Sequence, residues 1–519
     1  MFKSLTIVRI MQSTKLKTVL KLNVLQWNFI RTTAVRSATV NTTEEVQAPL
    51  KSWKEIPGPS SLPIVGPILH FLPGRALSDL NILDDVLYKT YGPIVRLESV
   101  FGGPTFIFLF DPEACAQVLR GENWMPIRPG FDSLEYYRKK HKKTQAEQQK
   151  MSGLITDHGE NWKEFRSTIN PVMLQPKIIK LYSNVLEEVA DDMVKRMKSI
   201  RDEDYKLQGD FDVEMNLWAL ESIGVVALGG RLRCFNRDLA ENSPERRLIQ
   251  CVHDLFTTAN ELDFKPSLWR YFPTKAFTKA MLLYKEQEDL AKFFIRKARK
   301  DLEQNKKSDS EKAVLEKLLE INEEIAVIMA CDMLFAGVDT AANTITATLY
   351  LLAKNQDKQE KLRELLKTKD SDETIRYVKA CIKEGLRMMP VVSGNVRQAT
   401  KDYDILGYKI PKGINIAFHH QYMSSMESQF PKPKEYIPER WLDKNHPLYH
   451  GKAHPFAYSP FGFGVRMCAG RRIAELELET FLAKVIESFK VEWFGGPPKI
   501  QASSLNYIKG PFNFRFKDV

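Results

Sequence analysis

From Lys177 to Glu303 the apolar positions recur mostly at helical spacing. The longest helical stretch runs from Asn322 to Ala353. It is apolar nearly all the way round, which predicts a helix buried on every side. Asn322 stands where a side chain caps free N–H groups, and Glu323 and Glu324 fall where the helix dipole favours acids. Helical patterns also cover NWKEFRSTINPVML, RYVKACIKEGLRMMP and the run that starts at Arg471. Ile94–Leu97 and Thr105–Leu109 read as short strands of a small sheet. The alternation after Arg397, with turns at Gly407 and Gly413, predicts a hairpin. Pro57, Pro59 and Pro63 stiffen an extended lead-in segment. The expected class is mainly α with small β-sheets.

Composition narrows this picture. An apolar fraction of 43% is enough for a large core. The interior shows no repeat and no Gly/Ser- or Pro-rich linker, so one domain over 44–519 is expected despite the length. The six cysteines are scattered, with no C-x-x-C pair, which argues against a disulfide scaffold or a zinc site.

Charge is concentrated at the start. Residues 1–43 hold Lys3, Arg9, Lys15, Lys17, Lys21, Arg31 and Arg36, with no acid before Glu44. These account for much of the net +11. Leu, Val, Ser and Thr are interspersed among them, the composition of a mitochondrial transit peptide cut somewhere between Arg31 and Glu44. A nucleic-acid-binding tail would carry the same charge. The interspersed residues favour the presequence, and no nucleic-acid partner is expected. The region also lacks the ~20-residue uncharged apolar run of a membrane anchor.

Candidate chemistry centres on FGFGVRMCAGRRIAE, residues 461–475. Cys468 lies in a glycine-rich loop before a helix, where backbone N–H groups and the helix dipole favour thiolate over thiol. Gly462, Gly464 and Gly470 let backbone approach a flat object, and Arg466 suits a carboxylate at the same face. A buried cysteine in a turn is the plainer reading of the loop alone. Trp162 and Arg166, four apart, share a helix face. Asp339 and Thr340, after Ala336 and Gly337, put an acid beside an alcohol in a buried helix, which is costly without a purpose. Glu384 and Arg387 can pair at i,i+3.

Phe461, Gly464, Arg466, Cys468 and Gly470 together match the heme-binding signature of the cytochrome P-450 heme-thiolate monooxygenases. The chain resembles that family over about 50–519, closest to insect members of its mitochondrial branch. The resemblance implies a single-domain cytochrome P-450 fold with heme b (iron protoporphyrin IX) between the I and L helices. It implies Cys468 as axial iron ligand, and Trp162, Arg166 and Arg397 as partners of the heme propionates. It makes Asp339 and Thr340 the proton relay for oxygen activation, with Ala341 departing from the usual Thr or Ser. Glu384, Arg387 and Arg440, the last from Pro438-Glu-Arg-Trp441, form a structural network. His419 and His420 depart from the family pattern and receive no heme contact.

Partners follow from the same resemblance. Lys379 and Lys383, one helix turn apart, with Arg471 and Arg472, resemble the surface by which mitochondrial members bind a ferredoxin reduced by an NADPH-dependent reductase. An ordinary solvated lysine face has the same spacing. Lys139, Lys140, Lys142 and Lys143 form a second basic run, in a segment that reads as loop and then strongly basic. Leu262–Ala276 breaks the helical period and mixes Phe264, Leu268, Trp269, Tyr271 and Phe272 with cations. That suits peripheral contact with the matrix side of the inner membrane, or an aromatic core plug. The implied reaction inserts one atom of O2 into an apolar small molecule. Xenobiotic detoxification leads; an ecdysteroid or sterol hydroxylase and a non-enzymatic heme sensor are the alternatives.

Overall fold

The computed structural model describes residues 49–519 except 64, 100–102, 142–150, 208–209, 237, 266, 305–306, 369–370 and 503–504. The transit-peptide segment 1–43, Lys142 and Lys143 lie outside the described residues. Lys51–Val519 forms one compact unit.

The apolar stretch after Asn322 forms the helix Glu323–Lys354, and the Asn322 side chain accepts from the Glu324 and Ile325 N–H groups. This helix is the axle of the fold. It packs on Phe211–Leu228, Lys275–Gln304, Val314–Ile321, Ser371–Met388 and Arg471–Ser488. Phe211–Leu228 is itself buried along most of its length. The two run so close that a Cβ on Gly337 would sit 2.9 Å from Ile223 Cγ1. Trp218 of that neighbour stacks on Phe481 of Arg471–Ser488, with ring centroids 4.3 Å apart. The result is a mainly α core with the cysteine-loop helix built into it.

A four-stranded sheet lies to one side, in the order Ile94–Leu97, Phe106–Leu109, Asn415–Phe418, Asn395–Gln398. The first two strands, expected as parts of a small sheet, pair antiparallel; Phe106–Leu109 then runs parallel to Asn415–Phe418. Arg397 is in register with Ile416 in this sheet. The predicted hairpin is therefore shorter than expected: Tyr403–Ile405 pairs with Tyr408–Ile410 in a separate sheet. Arg397 is thus held by a strand rather than by the hairpin.

The segment after Asn123 corrects a second expectation. Asp132–Tyr136 is α-helical and continues as a wider turn over Tyr137–His141, so the basic run is partly helix. Lys139 reaches Glu135 at 3.0 Å and Asp157 at 3.6 Å, and Lys140 lies over the Tyr136 ring. These two lysines are engaged internally.

Candidate active site

The cysteine loop closes on itself. Cys468 N–H donates to the Phe461 carbonyl at 2.9 Å, and Met467 N–H to the Gly464 carbonyl at 3.0 Å. Gly462 and Gly464 take φ of +74° and +72°, which other residues rarely adopt. Of the six cysteines, five are buried and Cys468 is exposed. Yet burial is the largest influence on its thiol and pushes the pKa up, opposed by the backbone N–H groups of Gly470 and Arg471 and by Arg166 and Arg128. An uncovered thiol that is nonetheless desolvated lines an internal recess. Two N–H donors at a helix start and two guanidiniums favour its thiolate form there.

Four arginines share this neighbourhood: Arg128, Arg166, Arg397 and Arg466. Burial, then the nearby guanidiniums, push Arg466 down to about 8; burial, then Arg397, pushes Arg128 down to about 10. Arg166 donates to the Met467 carbonyl at 2.9 Å, while its Nε has no partner. Arg397 donates to the Val396 carbonyl at 2.9 Å. Its Nε lies 2.8 Å from Glu122 Oε1, but off axis, so it makes no hydrogen bond there. Arg466 donates to the carbonyls of Pro126, Leu154 and Asp157, and its guanidinium covers the Trp162 ring at 4.1 Å. Glu122 answers Arg397, Asp157 acts on Arg466 and Asp332 on Arg128, but Asp332 is already paired with Arg138 and Asp157 with the Ser152 hydroxyl. The remaining buried positive charge suits an anionic ligand. A heme with two propionates, bound through a soft thiolate, fits this donor set.

Trp162 is therefore brought to the cysteine loop, as expected, but its ring serves as a platform for Arg466. Glu122 and Arg128 escaped the sequence reading. The one available signal was an arginine stiffened between Pro126 and Pro129, in a segment that otherwise reads as loop.

On the central helix, Ala336 is exposed and Gly337, Asp339 and Thr340 are half-buried, between stretches that are mostly buried. This is the helix's uncovered side. The Thr340 hydroxyl donates to the Ala336 carbonyl at 2.6 Å, one turn back on the same helix. Burial pushes Asp339 up to about 6, against the pull of His253 and Lys509. Beside Ala336 in the chain, Phe335 is buried against Phe131 at 5.2 Å and Phe256 at 5.1 Å, and Phe264 lies 5.1 Å from Phe131.

Glu384 is fully buried and takes five hydrogen bonds. Arg387 supplies two at 3.0 and 2.8 Å, Arg440 one at 3.0 Å, Trp441 Nε1 one at 2.8 Å and the Ile437 N–H one at 3.2 Å. His419 Nδ1 pairs with Asp84 at 2.9 Å. Lys379, Lys383 and Arg471 come together beside Glu475 and Glu479, and Arg472 is exposed. In 262–276, Phe264, Leu268, Tyr271 and Phe272 are exposed. Trp269 turns inward, donating to the Leu262 carbonyl at 3.0 Å and stacking on Phe277, so for this ring the core-plug reading holds.

A heme-iron monooxygenase is the class of protein that this fold and site define. The family model for cytochrome P450 matches residues 56–516. Cytochrome P450 CYP12A2 of Musca domestica is 37% identical over 506 residues, covering 91% of this chain and 94% of that one. The probable mitochondrial cytochrome P450 12a5 of Drosophila melanogaster is also 37% identical, covering 92% and 93%. The crystal structure of the cytochrome P450DA heme domain superposes with a TM-score of 0.72 at 21% identity, covering 91% of this chain and 98% of that one; it supports the fold alone. The chain belongs to the cytochrome P450 family.

Proposed function

We propose that this chain is a mitochondrial monooxygenase that hydroxylates an apolar, aromatic small molecule of foreign origin. Residues 1–43 act as its transit peptide and 44–519 as its enzyme domain, resting on the matrix side of the inner membrane through Phe264, Leu268, Tyr271 and Phe272. Electrons pass from NADPH through a ferredoxin reductase and a ferredoxin. The similarity to insect relatives named as mitochondrial supports the compartment.

The cofactor is heme b, held by Cys468 through sulfur, with Arg128, Arg166, Arg397 and Arg466 around its propionates. Bound there, it supplies reductive activation of O2. The chain's own residues do the rest. Gly470 and Arg471 N–H groups favour the anionic form of the Cys468 sulfur against the effect of burial. Asp339, poised near 6, takes protons from the solvent side at neutral pH and passes them inward. Thr340 holds the water that delivers them, exchanging its Ala336 carbonyl for that water. The side chains of Phe131, Phe256 and Phe335 exclude water and present faces for stacking.

The observation that carries the monooxygenase reading is the Asp339–Thr340 pair at the uncovered side of a buried helix, since a heme sensor has no use for a proton relay. The phenylalanine group favours an apolar aromatic substrate over a polyhydroxylated ecdysteroid, which needs polar partners for its hydroxyls. The test begins with the spectrum of the reduced, carbon-monoxide-bound protein. A red-shifted Soret band that is lost in Cys468→His establishes thiolate ligation; a band at the histidine-ligated position overturns it. Spectral titration with aromatic insecticides and with steroids then decides the substrate class.

A further inference from the structure

The surface around Lys379 and Lys383 carries its own acids. Glu475 and Glu479, one turn apart on Arg471–Ser488, face the two lysines of Ser371–Met388. Lys379 Nζ lies 3.7 Å from Glu479 Oε2, and Arg471 Nε lies 2.8 Å from Glu475 Oε1. Lys383 is half-buried; it faces both acids as well as Arg471 and Lys379, with its ammonium 5.9 Å from the Trp441 ring. Arg472 is exposed and has no acid paired with it among the described residues. The patch is therefore cationic overall, but its cations are already partly answered from within.

A purely structural salt-bridge ladder is a weak use for these acids, because Lys379 and Arg471 are largely solvated and pairs with solvated cations contribute little stability. Burial pushes Glu479 up to about 7, so Glu475 is the more fully charged of the two. Their position changes what an acidic partner meets. A carboxylate arriving at Lys379 or Arg471 must replace one already there, and the displaced acid then repels it. The contact still orients and steers the partner, while its net affinity is trimmed. Such trimming suits this chemistry. Each turnover consumes two electrons and a ferredoxin carries one, so a ferredoxin must leave and be replaced within every cycle.

We propose that Glu475 and Glu479 are release residues of the ferredoxin-docking surface, internal counter-ions that keep an acidic partner's residence short. This rests on the reading that an acidic ferredoxin docks at Lys379, Lys383, Arg471 and Arg472.

The test uses the full-length holoenzyme and an acidic mitochondrial-type [2Fe–2S] ferredoxin. Kd, its salt dependence and the dissociation rate are measured for Glu475→Gln/Glu479→Gln, for Glu475→Asp/Glu479→Asp and for Lys379→Gln/Lys383→Gln. The Gln pair is expected to tighten Kd about tenfold through slower dissociation, with a steeper salt dependence. It should lower turnover at saturating ferredoxin while leaving delivery of the first electron unchanged. The Asp pair keeps the charge and should stay within a factor of two or so of the parent protein. The lysine pair should weaken Kd about tenfold. If the lysine pair weakens binding but the Gln pair leaves Kd and dissociation unchanged, the release role is wrong and the docking surface stands. If the lysine pair leaves binding unchanged, the surface lies elsewhere and the inference falls with it. An unaltered carbon-monoxide spectrum in each variant separates these outcomes from misfolding.

Discussion

The indole N–H of Trp441 donates to the Glu384 carboxylate at 2.8 Å and completes its shell of two arginines and a backbone amide. Every donor comes from a segment that would otherwise leave a charge or a polar group buried. Glu384→Gln removes the one anion that Arg387 and Arg440 share. Breaking a buried pair from one side costs about 3–5 kcal/mol. Trp441→Phe leaves the charges matched and costs about 1–3 kcal/mol. Denaturant unfolding followed by circular dichroism should rank them in that order.

Arg397 and Glu122 make a different prediction. On the proposed heme site, Arg397→Gln removes a propionate partner and leaves Glu122 buried with less compensation, so both heme retention and stability should fall. Glu122→Gln/Arg397→Gln restores the charge match. It should recover most of the thermal stability while heme content stays low. Equal recovery of both would mean that Arg397 serves Glu122 alone.

Asp339 sets a pH dependence. Its folded pKa is raised to about 6 by burial, so the protein works against its ionisation. At pH 7.5 the carboxylate is charged and destabilising; below pH 4 it is protonated in folded and unfolded chains alike. Asp339→Asn should therefore stabilise the protein by on the order of 2 kcal/mol at pH 7.5, and the gain should vanish as pH falls from about 6 to 4. The same variant should lose product per NADPH consumed. The parent's coupling should decline as pH rises above 6, and the variant's should be flat.

Asp132–Tyr136, which follows Phe131, is latched to the helix Pro244–Asp263. Asp263, at the end of Pro244–Asp263, accepts from the Ser133 N–H at 2.9 Å and from its hydroxyl at 2.6 Å, and Ser133 Oγ also meets Tyr284 at 3.0 Å. Burial raises Asp263 to about 6. Ser133→Ala should speed ligand association severalfold in stopped-flow spectral titrations. In the parent protein, association should quicken as pH drops below 6, where the neutral carboxyl accepts more weakly; in Ser133→Ala that pH effect should shrink.

Local spacing made part of this site legible in the sequence. Cys468 sits in a ten-residue signature, Glu384 and Arg387 lie within one helix turn, and Asn322 caps where its neighbours said it would. What stayed hidden depends on distant chain segments meeting. Glu122 reaches Arg397 across most of the sequence, from a segment with no period to read. Asp263 meets Ser133 across 130 positions. Trp269 looked like its interfacial neighbours because composition does not say which ring finds a carbonyl at a helix end. Lys139 looked free because its acceptors, Glu135 and Asp157, are set by how the chain turns back.

Gly337 and Ala336 are sequence neighbours with opposite surroundings. One is pressed on Ile223 so closely that a methyl group has no room; the other is uncovered. The central helix therefore has a wall on one side and slack on the other. Larger residues at 336 would extend into uncovered space without disturbing the scaffold, whereas any side chain at 337 would push the helix off Ile223. Diversification of substrate range in this chain has a cheap direction and a forbidden one, a single residue apart.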